Sequence, residues 1–134
     1  MKKIIAIDVG NTETTVGVGN SNEWTGYRFT TRKTITSDEL LMMFKTIIDI
    51  KPIKENKVDG AIICSVVPQI TNSVALATIK FISKDAIVVG PGIKTGLKVN
   101  IDNPKELGPD RIANSIGGYM KVKSPVIVVD LGTA

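Results

Sequence analysis

Two short stretches of this sequence carry the same arrangement of chemically active residues. Ile4-Ile5-Ala6-Ile7-Asp8-Val9-Gly10-Asn11-Thr12 and Val126-Ile127-Val128-Val129-Asp130-Leu131-Gly132-Thr133-Ala134 each run from an apolar strand into aspartate, an apolar residue, glycine and small residues. An aspartate at the end of a buried strand has little access to water, so it needs a cation, a metal-bound water or backbone donors. Glycine two residues later lets the backbone close around a bulky anion. Asn11, Thr12 and Thr133 can then donate hydrogen bonds to phosphate oxygens. One Asp-x-Gly is ordinary strand-to-turn punctuation. Two copies on matching apolar strands favour phosphate or Mg²⁺ binding. No Walker loop and no complete Gly-x-Gly-x-x-Gly accompany them.

A second constellation is Asn103-Pro104-Lys105-Glu106-Leu107-Gly108-Pro109-Asp110-Arg111. Gly108-Pro109 frees a turn and starts a helix, which puts Asp110 and Arg111 in its first turn. An aspartate there is favourable with the helix dipole, whereas an arginine is unusual. Two readings stand level on spacing alone. One is a helix-start carboxylate beside a neighbouring cation. The other is a carboxylate that accepts a substrate hydroxyl proton, with a guanidinium gripping a substrate carboxylate.

Composition narrows the chemistry further. The 134 residues contain no histidine, which removes Ser-His-Asp and Cys-His nucleophiles and histidine metal sites from this chain. The lone Cys64 excludes an internal disulfide and any multi-cysteine metal site. Seventeen Lys and Arg against thirteen Asp and Glu give a net charge of +4. Fourteen of the seventeen are lysines, and Arg28, Arg32 and Arg111 are scattered. Aromatics are only 4%, so no stacking platform for bases is visible and nucleic acid is not the expected partner. Lys2-Lys3 followed by Ile4 to Ile7 resembles the start of a secretory signal, but Asp8 breaks it before an apolar core of roughly 7–15 residues can form. No apolar stretch approaches the roughly 20 residues of a membrane span. With an unpaired cysteine, these features predict a cytoplasmic protein.

The elements that must hold these residues follow from periodicity. Residues 3–8 read as a buried strand, and 14–19 and 24–30 as two more, joined by Asn20-Ser21-Asn22 into an antiparallel meander. Gly17 and Gly19 are expected to be bulge or turn glycines. Thr36-Ser37-Asp38-Glu39 forms a capping box before Leu40, Met43, Phe44, Ile47 and Ile48 at helical spacing, and Lys51-Pro52 ends that helix. Val58 to Cys64 is a buried strand. Ser65 is expected to cap a helix with Pro68 in its first turn and Ile70, Val74, Ala77 and Phe81 on one face. A strand at 86–89 leads into a long loop. Pro109 opens a last helix with Ile112, Ile116 and Tyr119 or Met120 on one face, weakened near its end by Gly117-Gly118. Val126 to Asp130 is a final strand. Three antiparallel strands followed by alternating helix and strand predict a mixed α/β sheet with helices on its faces.

Asp8-Val-Gly-Asn-Thr, Gly108-Pro-Asp-Arg111 and Asp130-Leu-Gly-Thr-Ala134, in this order, resemble the type III pantothenate kinases of the acetate and sugar kinase, Hsp70 and actin superfamily. The resemblance extends over the whole chain, including Ser65-Val66-Val67-Pro68 and Asp102-Asn103-Pro104. It implies a ribonuclease-H-like (actin-like ATPase) fold, with two such lobes binding ATP between them and phosphoryl transfer to the terminal hydroxyl of pantothenate, the first step of coenzyme A biosynthesis. By position, Asp8, Val9, Gly10, Asn11, Thr12, Glu13, Thr14 and Thr15 would hold ATP phosphates, with Asp8 near Mg²⁺. Gly108, Pro109, Asp110 and Arg111 would bind pantothenate, with Asp110 as general base. Asp130 would bind a monovalent cation, K⁺ or NH₄⁺, and Thr133 an ATP phosphate. The resemblance also implies a homodimer.

Two departures from the pattern stand out. Many members carry tyrosine where this chain has Ile101, so a phenol contact to pantothenate is lost or unnecessary. The sequence also stops at Ala134, inside the second phosphate motif. Residues 1–123 then form one lobe and 124–134 the first strand of a second, and the chain by itself is expected to lack kinase activity. Two other readings compete. Relatives have been labelled Bvg accessory factors, which are transcriptional activators. A ribonuclease-H-type nuclease could share metals between Asp8 and Asp130.

Overall fold

The computed structural model describes residues 2–50, 58–90 and 92–132. Three strands open the chain: β1 (Ile4–Val9), β2 (Glu13–Gly19) and β3 (Trp24–Thr30). They pair antiparallel in sequence, β1 with β2 and β2 with β3, as the alternating pattern predicts. The Asn20 side chain accepts from the Asn22 and Glu23 amides at 2.8 and 3.2 Å and closes the hairpin. Helix α1 (Ser37–Ile50) follows, then β4 (Gly60–Ser65), α2 (Pro68–Ile82), the short β5 (Ile87–Val88) and α3 (Pro109–Val122). β4 lies parallel to β1, and β5 parallel to β4, giving the sheet order β3-β2-β1-β4-β5. Three antiparallel strands extended by parallel crossovers, with helices on both faces, make the ribonuclease-H-like arrangement.

Strand alternation divides the sheet into two unlike faces. Ile5, Ile7 and Val9 of β1, Val16 and Val18 of β2 and Ala61 and Ile63 of β4 point to one side and are buried. There they meet Leu40, Phe44 and Ile47 of α1 and Ile70, Val74 and Ala77 of α2. Phe44, fully buried, meets Phe81 edge-on at 5.9 Å and ties the two helices together. Ala6, Asp8, Thr15, Gly17, Ile62 and Cys64 belong to the other side, which α3 covers only in part: none of its residues is buried.

The Thr36–Glu39 capping box forms as predicted. Glu39 accepts from the Thr36 amide at 2.9 Å, and the Glu39 amide donates to Thr36 Oγ1 at 3.2 Å. The Lys51-Pro52 stop lies outside the described residues. Three expectations need correction. Ser65 is not the cap of α2. That position belongs to Val67, while Ser65 Oγ accepts from the Val67 amide and from Thr71 Oγ1, bracing the strand exit from within. Gly17 and Gly19 lie inside β2, not in a turn or bulge, and clear space for the Trp24 ring; a Cβ at 19 would meet the indole. Gly117-Gly118 lies in the last turns of α3, which runs on to Val122 and closes with Lys123 in the left-handed region. Residues 126–130 are not in the sheet. They find no strand to pair with among the described residues, and Ile127, Val129 and Leu131 are 89%, 74% and 93% exposed.

Candidate active site

β1 is the strand where the sheet changes direction, with antiparallel β2 on one side and parallel β4 on the other. Its carboxyl end is therefore the crevice in which α/β sheets present ligands. Asp8 sits there, one residue before the strand ends, aligned with Thr15 of β2 and Cys64 of β4. The turn that follows is pinned from several directions. The Gly10 amide donates to the Glu13 carbonyl at 3.0 Å. Thr31 Oγ1 donates to the Gly10 carbonyl at 2.7 Å and lies 2.8 Å from Thr14 Oγ1. The Thr31 amide donates to the Thr12 carbonyl at 2.9 Å. A Cβ on residue 10 would stand 2.9 Å from the Glu13 carbonyl oxygen, so a side chain here would open the turn.

The second wall is the start of α3. Gly108 precedes Pro109 with ordinary extended angles, and a Cβ on it would overlap the Asp110 carboxylate. The backbone there suits any residue, and a side chain at 108 would instead force the Asp110 carboxylate to turn. One turn further along, Asn114 Nδ2 donates to Asp130 Oδ2 at 3.1 Å. Residues 126–128 reach that point by crossing α3 at Gly118, where Val128 Cγ2 lies 3.0 Å from the place a Cβ would occupy. A Cβ at 118 would require the Val128 side chain to give way by a few tenths of an ångström.

These parts converge on one cleft of 290 Å³. It is lined by Asp8, Gly10 and Asn11 of the β1 turn, Asp110, Arg111 and Asn114 of α3, Asp130 and Gly132 of the last segment, and Val66. The Asp8 carboxyl is held above its ordinary value of 3.8, first by partial burial and then by the charges of Asp110 and Asp130, while a hydrogen bond from Cys64 opposes the rise. Contrary to the sequence expectation, Asp8 and Asp130 keep access to water, and a cation between the three carboxylates would relieve their mutual repulsion. Hard oxygen donors suit Mg²⁺, which keeps much of its water and takes only one or two carboxylates beside phosphate oxygens. Among the described residues no group of three or more His, Cys, Asp or Glu could cage a metal by itself. The donor set therefore fits a metal shared with a phosphate ligand. Mg²⁺ supplies neutralisation of phosphate charge when it is bound.

A second hollow of 250 Å³ lies beneath α3, more apolar, and shares Asp8, Asp110 and Asn114 with the cleft. A larger one of 370 Å³ between the far ends of α1 and α2 holds none of the predicted residues.

The structure thus brings Asp8, Gly10, Asn11, Asp110, Arg111 and Asp130 to one cleft. It directs other residues of the first motif elsewhere. Val9 is fully buried in the core. Thr14 is buried against Thr31. Glu13 lies 3.9 Å from Arg28, and Thr15 lines the hollow beneath α3. Thr12 is exposed and holds Thr31 through its carbonyl. Thr133 lies outside the described residues. Sequence reasoning missed Asn114, Cys64, Val66 and Thr31. Asn114 could have been found from its four-residue spacing after Asp110 on one helix face. The others come together only through strand pairing and the β4–α2 junction.

Comparison with known proteins agrees with this geometry. The profile of the type III pantothenate kinase family matches residues 4–134. A type III pantothenate kinase of Bifidobacterium longum (strain DJO10A) is 41% identical over 132 residues, which are 98% of this chain and 52% of that protein. Another from Exiguobacterium sp. (strain ATCC BAA-1283 / AT1b) is 39% identical over the same shares. The chain spans about half the length of the curated relatives it matches. Among solved structures, the Ppx/GppA family member of Aquifex aeolicus aligns at 13% identity over 67% of this chain and 35% of that one, with a TM-score of 0.37, too distant a likeness to argue from. No helix among the described residues is long and apolar enough to cross a membrane. The family profile, the order of the three motifs and their meeting in one cleft agree, and the chain belongs to the type III pantothenate kinase family.

Proposed function

We propose that this chain is the first lobe of an ATP-dependent pantothenate kinase that makes 4'-phosphopantothenate for coenzyme A biosynthesis. The observation that carries the reading is the convergence of the Asp8 turn, the Asp110–Arg111 helix start and Asp130 on one 290 Å³ cleft. Phosphoryl transfer asks for positioning and charge neutralisation more than for covalent help from the protein. A histidine-free site can therefore perform it. The Gly10 and Asn11 turn and Thr12 would cradle ATP phosphates, with Asp8 as the Mg²⁺-facing carboxylate and Thr133 as a further phosphate donor. Asp130 would hold K⁺ or NH₄⁺. Arg111 would grip the pantothenate carboxylate. Asp110, at the start of α3, would accept the proton of the terminal hydroxyl as it attacks phosphorus.

The reading includes a second lobe opening at residues 124–134, a homodimeric enzyme and a cytoplasmic setting. Its support is the family membership and the exposed apolar alternation of Ile127, Val129 and Leu131, which gives a neighbouring strand something to cover. The 134-residue chain alone is then inactive, because one side of the ATP clamp is missing. The test is pantothenate- and Mg²⁺-dependent ADP release, measured on this chain and on the protein continued through its second lobe. Activity in the longer protein only, abolished in Asp110→Asn, is the expected result. Pantothenate-dependent turnover by the short chain, or full activity in Asp110→Asn, contradicts the assignment.

A further inference from the structure

We propose that Asn114 is a positioning residue: it sets where residues 126–132 lie along α3, and through them where the Asp130 carboxylate stands relative to Asp110 and Arg111. The inference rests on the reading of Asp110 and Asp130 as working carboxylates of one cleft. Its basis is a single stripe of the helix. Asp110, Asn114 and Gly118 follow one another at intervals of four and share a face of α3. The last segment meets that face in reverse order. Val128 lies over Gly118, Asp130 Oδ2 accepts from Asn114 Nδ2 at 3.1 Å, and Gly132 lines the cleft with Asp110.

The two repeats match in length. Four residues of helix advance about 6 Å along the axis, and two residues of extended chain about 6.6 Å. Exposure alternates along the segment in the same sense. Val126 and Val128 are 39% and 42% exposed, whereas Ile127, Val129 and Leu131 are largely bare. The apolar contact cannot set the register by itself, because Val126 Cγ1 already lies 4.0 Å from the point that a Cβ at 118 would occupy. Either valine could pack there. The hydrogen bond does discriminate. A slip of two residues would put Val128 or Gly132 opposite Asn114, and neither side chain offers an acceptor. A neutral amide also suits the place. It holds the carboxylate through one of roughly four lone-pair sites without cancelling its charge, as lysine or arginine would, and the other sites stay available to the cleft.

The first readout is NMR on the chain itself. A nuclear Overhauser contact between the Val128 methyls and the Gly118 α-protons reports the register and needs no ligand. It is expected in the native chain and lost in Asn114→Ala and in Asp130→Ala, which break the bond from either side. Both residues are exposed, so neither substitution endangers the core. Exchanging the partners, Asn114→Asp with Asp130→Asn, lets the amide donate in the other direction and restores the contact. The second readout is pantothenate-dependent ADP formation by the protein continued through its second lobe. Asn114→Ala should lose about 10- to 100-fold. Because Asn114 acts through Asp130, it adds no further loss to Asp130→Ala, whereas independent effects would multiply. The exchanged pair stays impaired, since its carboxylate now sits on the helix. An Overhauser contact that survives either single substitution, or fails to return in the exchanged pair, overturns the proposal. So do losses that multiply, or full turnover in the exchanged pair, which would make Asn114 a tether only. A continued protein with no pantothenate-dependent turnover refutes the proposed function, and the NMR result then decides the register on its own.

Discussion

Replacing Gly108 with alanine separates what the backbone needs at the start of α3 from what the site needs. Gly108 has φ −59° and ψ 144°, angles open to any residue, and it makes no side-chain cap that could be lost. Alanine is a poorer N-cap than glycine by about 1 kcal/mol, while restricting the unfolded chain offsets about 0.4–1 kcal/mol of that. Stability should therefore change by no more than about 1 kcal/mol. The new Cβ, however, would overlap Asp110 Oδ1, so the carboxylate must turn away. Holding it in place off-rotamer would cost about 0.5–1.5 kcal/mol, comparable with the whole stability change, so displacement is the cheaper response. Misplacing a reacting group by roughly 1 Å can cost about 10²-fold in rate. The expected pattern is a near-native urea midpoint with a loss of about 10²-fold in pantothenate-dependent ADP formation by the protein continued through its second lobe. Gly117→Ala is the control on the same helix, with open space around its Cβ. It should stabilise by about 0.5–1 kcal/mol, raise Tm by about 4 °C and leave turnover alone. If Gly108→Ala costs more than about 2 kcal/mol, the glycine serves the backbone after all. Unchanged turnover would show that Asp110 does no chemistry from this position.

Three further outcomes follow from the same structure. Thr36→Ala removes the hydroxyl that caps α1 and should cost about 1 kcal/mol in urea unfolding at neutral pH. Glu39 is held below its ordinary 4.5, first by the Thr36 amide and then by its hydroxyl, so its contribution is present above that value and is lost as pH falls through the lower folded value. Comparing urea midpoints across the acid limb should show a shallower loss in Thr36→Ala than in the native chain. Asp8 shifts the opposite way. With its folded value raised above 3.8, it destabilises the fold at neutral pH, and the penalty is relieved as pH falls through the raised value toward 3.8. Asp8→Asn should therefore raise the urea midpoint at pH 7 while abolishing kinase activity of the continued protein; a lowered midpoint would mean that the carboxylate stabilises the native state. Finally, Cys64 is buried and its thiol lies near 12, so at neutral pH iodoacetamide should label it only as fast as the chain opens. Mass spectrometry over a urea series measures this, and prompt labelling of the native chain would contradict the burial.

Much of the fold is legible in the residues themselves. The alternation of β1 to β3, the Thr36–Glu39 box and the Pro109 helix start are local signals, set by side-chain periodicity and backbone capping within a few positions, and each forms where expected. The two aspartate turns were legible as well, because glycine and strand-end aspartate have local reasons to occur together. Other features resisted reading. Val126 to Val129 has a strand's composition, yet a strand is defined by a partner, and among the described residues there is none. Gly17 and Gly19 read as punctuation until Trp24 is seen lying over them.

The sequence alone determined which residues could hold phosphate, accept a proton or grip a carboxylate, since those capacities are properties of the side chains and their immediate neighbours. Tertiary structure decided which of them meet. Only the parallel pairing of β1 with β4 puts Cys64 beside Asp8, and only the path of residues 126–130 along α3, past Gly118, brings Asp130 to Asn114. Residues 122 positions apart in the chain, Asp8 and Asp130, share one cleft because the sheet and α3 close the distance between them. Spacing along the chain carries no record of such contacts, for they are fixed by register and by the room between packed elements.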